Sequence, residues 1–392
     1  MTGVLAALFA GIDRVLPDAA ALRREIHAFP HLGGDEMPTR DMFTEAAPWL
    51  DWSPVAGTGG WARLGPDGAS VALRAELDAL PMTEDTGVEW SSERRGIMHA
   101  CGHDVHLAAL WAVLQAARSV ELPAGLVALL QPREEVSPTG AGDVVSSGLL
   151  DDEDIEAMIG VHVQPLVARG VVSTGAGAVN AAFDAFTITV HGRGGHGAYP
   201  HNALDPITVL ASIITGLSEL TAQQIDPTQP TVVSVGQVVG GTAPNVIASS
   251  ATCHGTIRTF SSLIRDHLHE AIPRLAEGIA FARGAAVAVD FQRGGPALVN
   301  DFDLVARVDS VLGSVDVPVA PVPFRSCGSD DFAEYGQVVP SVMCFAGTGG
   351  TDGIGLHHPR FLPGRDALPL VARTYAAAYV AAAGKVGREA SD

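Results

Sequence analysis

Apolar positions fall along the chain in two patterns. In the first part, short runs are apolar almost without a break: residues 70–77 (SVALRAEL), interrupted by one arginine and one glutamate, 125–131 (GLVALLQ) and 156–163 (EAMIGVHV). Between the first two, residues 105–117 (VHLAALWAVLQAA) carry apolar side chains at helical spacing. Short unbroken runs mark strands buried on both faces, and the order strand, helix, strand predicts crossover units around a largely parallel sheet. Residues 341–346 (SVMCFA) predict a further strand of that sheet.

The middle of the chain alternates instead. Residues 183–190 (FDAFTITV) read as a half-exposed strand. A helix over 205–220, strands at 231–239 and 251–260, a helix over 261–282 and a strand at 285–291 follow. Strand–helix–strand–strand–helix–strand is the order of a split βαβ, ferredoxin-like unit. Being complete in itself, it predicts a second domain over 181–292, inserted into a first made of residues 1–180 and 293–392.

Composition narrows the function classes. The 392 residues exceed twice the ~150 of a typical domain, in keeping with two domains. With 24 basic against 44 acidic side chains, the formal net charge is −20. Nucleic acid and anionic membrane both reward basic patches and are not expected partners. The apolar stretch from Val4 to Ile12 lacks a basic flank and is too short to span a bilayer, so the expectation is a soluble, cytoplasmic chain without a targeting segment. Lys385 is the only lysine and lies in a polar tail, which removes Schiff-base chemistry and a Walker-type phosphate loop. Four scattered cysteines, Cys101, Cys253, Cys327 and Cys344, do not form a disulfide framework and fit a reducing compartment.

Polar residues with chemistry to offer collect at the carboxyl ends of the predicted strands, where open α/β sheets bind ligands. The first run leads into Asp78, the second into Glu134 and Glu135, and the third contains His162 near its end. HACGHDVH (99–106) places three histidines, a cysteine and an aspartate before a helix, and His357–His358 follow the last strand. Each alone has an ordinary structural explanation. Together, at equivalent ends of buried strands where uncompensated charge is costly, they predict a metal site. GRGGHG (192–197) fits G-x-G-x-x-G, but Tyr199-Pro200 and Asp205-Pro206 keep a helix from opening there, which excludes a dinucleotide site. The chain has no G-x-S-x-G elbow for serine catalysis. A Cys101 nucleophile stands as an alternative; the other metal-ligand types around it count against it, because a coordinated thiolate is quenched.

Taken in order, REIHAFP (24–30), ALRAELDALP, MHACGHDVH, QPREE, GVHVQP, GRGGHGAYPH, DPI, NVI, GTIRTF, GSDDFA and LHHPRF (356–361) resemble the aminoacylase/carboxypeptidase-type dinuclear metallo-amidohydrolases. The likeness is to the hippurate hydrolase and auxin-conjugate hydrolase subfamily in particular. It implies an α/β metallopeptidase catalytic domain carrying an inserted ferredoxin-like α+β lid, which often also forms a homodimer. It further implies two divalent metal ions per subunit. Cys101 would bridge them, His103 and His162 would complete one, and Glu135 and His357 the other. Glu134 matches the general base, and Asp78 an acid that orients a ligand imidazole. In the lid, His196 matches a histidine that can stabilise the oxyanion and that can come, in dimeric relatives, from the neighbouring subunit. Asn245 and Arg258 match positions that can bind the carboxylate of an N-acyl amino acid. A mixed thiolate, imidazole and carboxylate set accepts zinc, manganese, cobalt or nickel, with zinc and manganese the expected ions.

The chain departs from the family's pattern at His31 (usually glutamate), Glu76 (aspartate) and Arg133 (a small residue). Ser137-Pro138-Thr139 interrupts a usually glycine-rich stretch, and CGSDDF (327–332) stands where relatives have methionine and glycine. These departures leave every implied ligand in place and bear on specificity. The expected reaction is metal-dependent hydrolysis of N-acetyl, N-benzoyl or related N-acyl amino acids. A dipeptide exopeptidase on the same fold and a catalytically silent, metal-bound binding protein are the alternatives.

Overall fold

The computed structural model describes residues 2–315, 317–350 and 353–389. It divides into two compact units, the larger made of Met1–Gly177, Val299–Phe324 and Asp331–Asp392, the smaller of Ala178–Leu298 and Arg325–Asp330. Among the described residues, no helix is long and apolar enough to cross a membrane.

In the larger unit, Ser70–Glu76, Gly125–Gln131, Ile155–Gln164 and Ser341–Gly347 form the parallel centre of a seven-stranded sheet. Val71 lies beside Leu126 on one side and Ala157 on the other, and Ser341 lies beside Met158, so all four carboxyl ends point the same way. Burial on both faces explains why they read as unbroken apolar runs. At the edges the sheet departs from the parallel expectation and is mixed. Gly59–Leu64 joins Gly125–Gln131 antiparallel, Ser53–Val55 pairs antiparallel with it, and Val172–Ser173 runs antiparallel to Ser341–Gly347. The first two are short and partly exposed, so no apolar run announces them.

Helices His103–Ala117 and Ala367–Glu389 pack against this sheet, and Thr2–Ala28 packs on both of them. His103–Ala117 is buried at nearly every position, the mark of a central rather than an amphipathic helix. Tyr375 and Tyr379 donate to the Arg74 and Ala124 carbonyls, both at 2.5 Å, fastening the last helix to the sheet. The arginine and glutamate that interrupt the first run belong to a buried polar network. Arg74 donates to Gln131 Oε1 at 2.8 Å and to Asp331 Oδ1 at 2.9 Å and pairs with Glu76, while the Tyr335 hydroxyl reaches Gln131 at 2.9 Å. Charge inside the sheet is tolerated because it is paired and hydrogen-bonded.

A second buried network fixes the start of helix His103–Ala117. Arg23 donates to Asp104 Oδ2 at 2.9 Å and to the Pro363 carbonyl at 3.0 Å. His27 stands between two carboxylates, Nδ1 at 3.1 Å from Asp104 Oδ2 and Nε2 at 3.2 Å from Glu84 Oε1. Burial opposes its charge, but Asp104 and Glu84 outweigh burial and raise its pKa from 6.5 to about 9. A raised folded-state pKa contributes stability that is full below pH 6.5 and lost as pH rises through about 9. At about 1.36 kcal/mol per pH unit between the two values, the loss is on the order of 3 kcal/mol. Urea midpoints should therefore fall between those pH limits in the wild-type chain and fall less steeply in His27→Gln. Parallel curves for the two chains would remove His27 from this role.

The smaller unit orders its strands Thr231–Gly240, Ser250–Thr259, Ala182–His191, Ala286–Arg293, all antiparallel. Helices Pro206–Gln224 and Ser262–Arg283 share a core with this sheet around Phe186, Ile188, Ile213, Leu217, Leu268 and Ile272. The helix starts follow from sequence: Asp205 accepts from the Ile207 N–H at 3.0 Å ahead of Pro206, and Ser261 accepts from the Ile264 N–H at 3.4 Å. Residues 325–330 join this unit although they lie far beyond residue 292, because the Ala181 N–H donates to the Ser326 and Gly328 carbonyls.

Candidate metal centre

The carboxyl ends of the parallel strands are where the motifs of the larger unit meet. Asp78 follows Ser70–Glu76 by two residues, Glu134 and Glu135 follow Gly125–Gln131, and His162 lies inside Ile155–Gln164 near its end. Cys101 and His103 flank Gly102, whose φ of +88° makes the sharp turn into the helix. A Cβ at Gly102 would sit 2.5 Å from the Val163 side chain, so glycine alone fits. The His357 N–H donates to the Ala100 carbonyl at 2.9 Å, tying that loop to the cysteine turn.

Hydrogen bonds to carbonyls decide which imidazole nitrogens are available. His103 Nδ1 lies 2.8 Å from the Asp78 carbonyl and His162 Nδ1 2.7 Å from the Val163 carbonyl. A carbonyl only accepts, so both Nδ1 atoms carry a proton, and Nε2 is the atom that offers a lone pair in each neutral imidazole. His162 Nε2 lies 3.4 Å from Cys101 Sγ, while His103 Nε2 is buried without a hydrogen-bond partner and stands 3.9 Å from Glu134 Oε2. On the other side His357 Nε2 lies 3.1 Å from Glu135 Oε1. The donor atoms of Cys101, Glu135 and His357 fall within 4.8 Å of one another, as do those of His103, Glu134 and Glu135. His358 turns away: its Nδ1 accepts the Arg360 N–H at 3.1 Å.

The electrostatics favour a cation. Burial, then the Glu135 and Glu134 carboxylates, push the Cys101 thiol well above its ordinary pKa. Burial raises Asp78 to about 6 and lowers His162 to about 3. Burial also opposes charge on His103, but Glu76, Asp78 and Glu135 outweigh it and raise its pKa. Directed imidazole lone pairs, a thiol, crowded carboxylates and an unpartnered buried His103 Nε2 form a donor set that fits divalent metal ions.

Two further residues of the cluster have other work. His106 donates from Nδ1 to Glu76 Oε2 at 2.8 Å, and its Nε2 accepts the Val163 N–H at 3.0 Å. Both nitrogens are used, so His106 props the strand of His162 rather than offering a ligand atom, and Glu76, a departure in the sequence, holds it there. Asp78 acts on the imidazole of His103 chiefly through its carbonyl. Its carboxylate Oδ2 accepts the Glu135 N–H at 2.8 Å, and Oδ1 stands 3.7 Å from His103 Nδ1.

In the smaller unit, His196 and Asn245 come together on the wall of an open cavity of about 630 Å³. Val246 pairs with His196 across a two-stranded bridge, and the Gly197 N–H donates to the Asn245 carbonyl at 2.8 Å. His196 Nδ1 accepts the Ala198 N–H at 3.0 Å, which leaves the proton on Nε2. Arg258 does not line that cavity. It donates to the Cys327 carbonyl at 2.8 Å and lies over the Phe183 ring at 4.9 Å.

Known proteins share this architecture. N-acetyl-L-cysteine deacetylase of Bacillus subtilis is 35% identical over 347 residues, covering 87% of this chain and 82% of that protein. Thermostable carboxypeptidase 1 of Saccharolobus solfataricus is 34% identical over 83% of this chain and 85% of its own length. The crystal structure of Bacillus subtilis YXEP protein, described as a dinuclear metal binding peptidase from the M20 family, superposes with a TM-score of 0.83 at 30% identity, covering 94% of this chain and 98% of that one. The family model for peptidase family M20/M25/M40 matches residues 72–381, a span that takes in the carboxyl ends of the four parallel strands. The chain belongs to peptidase family M20/M25/M40.

Proposed function

We propose that the chain is an amidohydrolase that cleaves the amide bond of N-acyl amino acids, N-acetyl and N-benzoyl types among them. Family membership makes it a metal-dependent hydrolase acting on amides. The observation that carries the finer reading is the meeting of Glu134 with the metal donor set, Oε2 3.9 Å from the lone-pair nitrogen of His103. Cys101 would be the ligand shared by two divalent ions, with His103 and His162 holding one and Glu135 and His357 the other. Two such ions, zinc or manganese in this reading, would polarise the amide carbonyl and acidify the attacking water. Glu134 takes the water's proton as its oxygen adds to the carbonyl carbon, then delivers a proton to the departing nitrogen as the C–N bond breaks. His196 offers its Nε2–H to the developing oxyanion, and Asn245 and Arg258 offer donors to the substrate carboxylate.

The smaller unit, residues 181–292 in the main, serves in this reading as lid and dimerisation domain. Thr231–Gly240 is an edge strand with exposed Val232, Val238 and Val239, which supports pairing with a second copy. Light scattering that reads a monomer at micromolar concentration removes the dimer. Four free cysteines support a cytoplasmic setting, which cell fractionation checks.

The function is tested by amine release from N-acetyl, N-benzoyl and longer N-acyl amino acids and from unblocked dipeptides, with added manganese or zinc and again after chelation. The expected result is chelator-sensitive turnover of the blocked substrates. Turnover confined to dipeptides with a free α-amino group would make the chain an exopeptidase, the second reading, in keeping with a family of peptidases. Chelator-insensitive turnover would point to Cys101 as nucleophile, and silence with both ions bound to a binding protein.

A further inference from the structure

Two main-chain N–H groups beside Glu134 are held by buried carboxylates from elsewhere in the chain. The Glu135 N–H donates to Asp78 Oδ2 at 2.8 Å, and the Arg133 N–H donates to Glu36 Oε1 at 2.8 Å across 97 residues of sequence. Glu36 is completely buried. Its other oxygen accepts the Gly34 N–H at 2.8 Å and the Thr58 hydroxyl at 2.6 Å. It occupies the cap position of helix Met37–Glu45, yet its side chain makes no bond to that helix. A capping side chain ordinarily turns its oxygen to its own first-turn N–H groups. Here it reaches three other points of the chain, and through charge-assisted bonds, which are the stronger kind.

The segment it holds needs holding. Arg133 has φ +54°, a left-handed conformation that a residue with a Cβ adopts only where its surroundings over-determine it. Those surroundings are the Glu36 carboxylate on its N–H, the Gly140 N–H on its carbonyl at 3.0 Å, and the Asp143 carboxylate on its guanidinium. Gly140 packs so close that a Cβ would lie 1.9 Å from the Pro132 carbonyl oxygen.

We propose that Glu36 is a positioning residue for the hydrolysis: with Asp78 it grips the N–H groups on either side of Glu134 and fixes where that carboxylate stands. The proposal rests on Glu134 as the base. Without Glu36, Arg133 keeps Gly140 and Asp143 on its carbonyl and guanidinium but loses the hold on its N–H, so the turn can pivot about Glu135. A base displaced by about 1 Å loses on the order of 10²-fold in rate.

Glu36→Gln is the same size but carries no charge, so the hold on the Arg133 N–H weakens whichever way the amide turns and is lost where the NH₂ faces it. Thr58→Val removes a partner of Glu36 and leaves its bond to Arg133. The expected result for Glu36→Gln is wild-type metal content and KM, a kcat lower by about 10- to 100-fold, and faster amide exchange at residues 132–136 by mass spectrometry. Thr58→Val should melt earlier and show neither change. Wild-type kcat and exchange in Glu36→Gln, or both changes in Thr58→Val, would overturn the proposal. Glu36→Asp keeps the charge and the local bond to Gly34 but falls short of Arg133, and it should reproduce the kcat loss if the glutamine variant does not fold; full kcat there overturns the proposal equally. Exchange reads the grip whether or not a substrate is turned over, so a silent wild-type chain counts against the functional reading and not against the grip.

Discussion

Glu134→Gln should lower kcat by about 10³-fold, within the range that a positioned general base contributes, while the protein keeps its metal and its fold. Glutamine fills the same space and keeps one acceptor oxygen, but it cannot take the water's proton. The proposed ligand set does not include it: Glu135, one residue on, is the carboxylate that faces His357 at 3.1 Å. Glu134 itself lies 3.9 Å from His103 Nε2 through Oε2, near enough to act on a water in the centre. KM should change little, since the lost interaction matters where the proton moves and not where the substrate docks. Elemental analysis beside steady-state kinetics separates the cases. Turnover near wild type removes Glu134 as base, and loss of metal with loss of turnover makes it a ligand.

The fold is legible in the sequence where a strand is buried on both faces. Gly125–Gln131 and Ser341–Gly347 match their apolar runs almost to the residue, because Pro123 ahead of one and Pro132 and Pro340 at their flanks punctuate runs that have no polar face. The smaller unit is legible for the opposite reason, since alternation in Ala182–His191 reports a single buried face. Ser53–Val55 and Gly59–Leu64 are not legible, being short edge strands with mixed exposure. In the site, the strand-end residues from Asp78 to His357 announce themselves by position. Their division of labour does not. HACGHDVH offers three histidines, and only the partners of each nitrogen show that His106 is fully engaged while His103 keeps a buried, unpartnered Nε2. The sequence marks Asp78 as an acid that orients a ligand imidazole, and only the structure shows that its carbonyl makes the 2.8 Å contact to His103 while its carboxylate Oδ1 stands 3.7 Å away. Glu36 carries no signal at all, because the bond that gives it meaning crosses 97 residues.

Cys101→Ala should cost the protein at least one of the two metal ions proposed for it. The Cys101 sulfur lies between the two sides of the centre, 3.4 Å from His162 Nε2 and within 4.8 Å of the donor atoms of Glu135 and His357. In the proposed ligand set, each side would then keep two protein donors, His103 with His162 and Glu135 with His357, fewer than the three or four that hold catalytic or structural zinc. Alanine at this buried position leaves a small void and no new donor, and the turn itself is set by Gly102, so the change falls on metal and not on the course of the chain. Activity should fall with metal content and should not return on adding manganese or zinc at levels that saturate the wild-type chain. A purified Cys101→Ala protein with two ions per chain would refute the bridging role. An inactive variant that still holds two ions would do more, because it would move Cys101 from ligand to nucleophile. Wild-type turnover that survives complete removal of metal is the companion result that reading requires, so metal content and chelator sensitivity together separate the two chemistries of one sulfur atom.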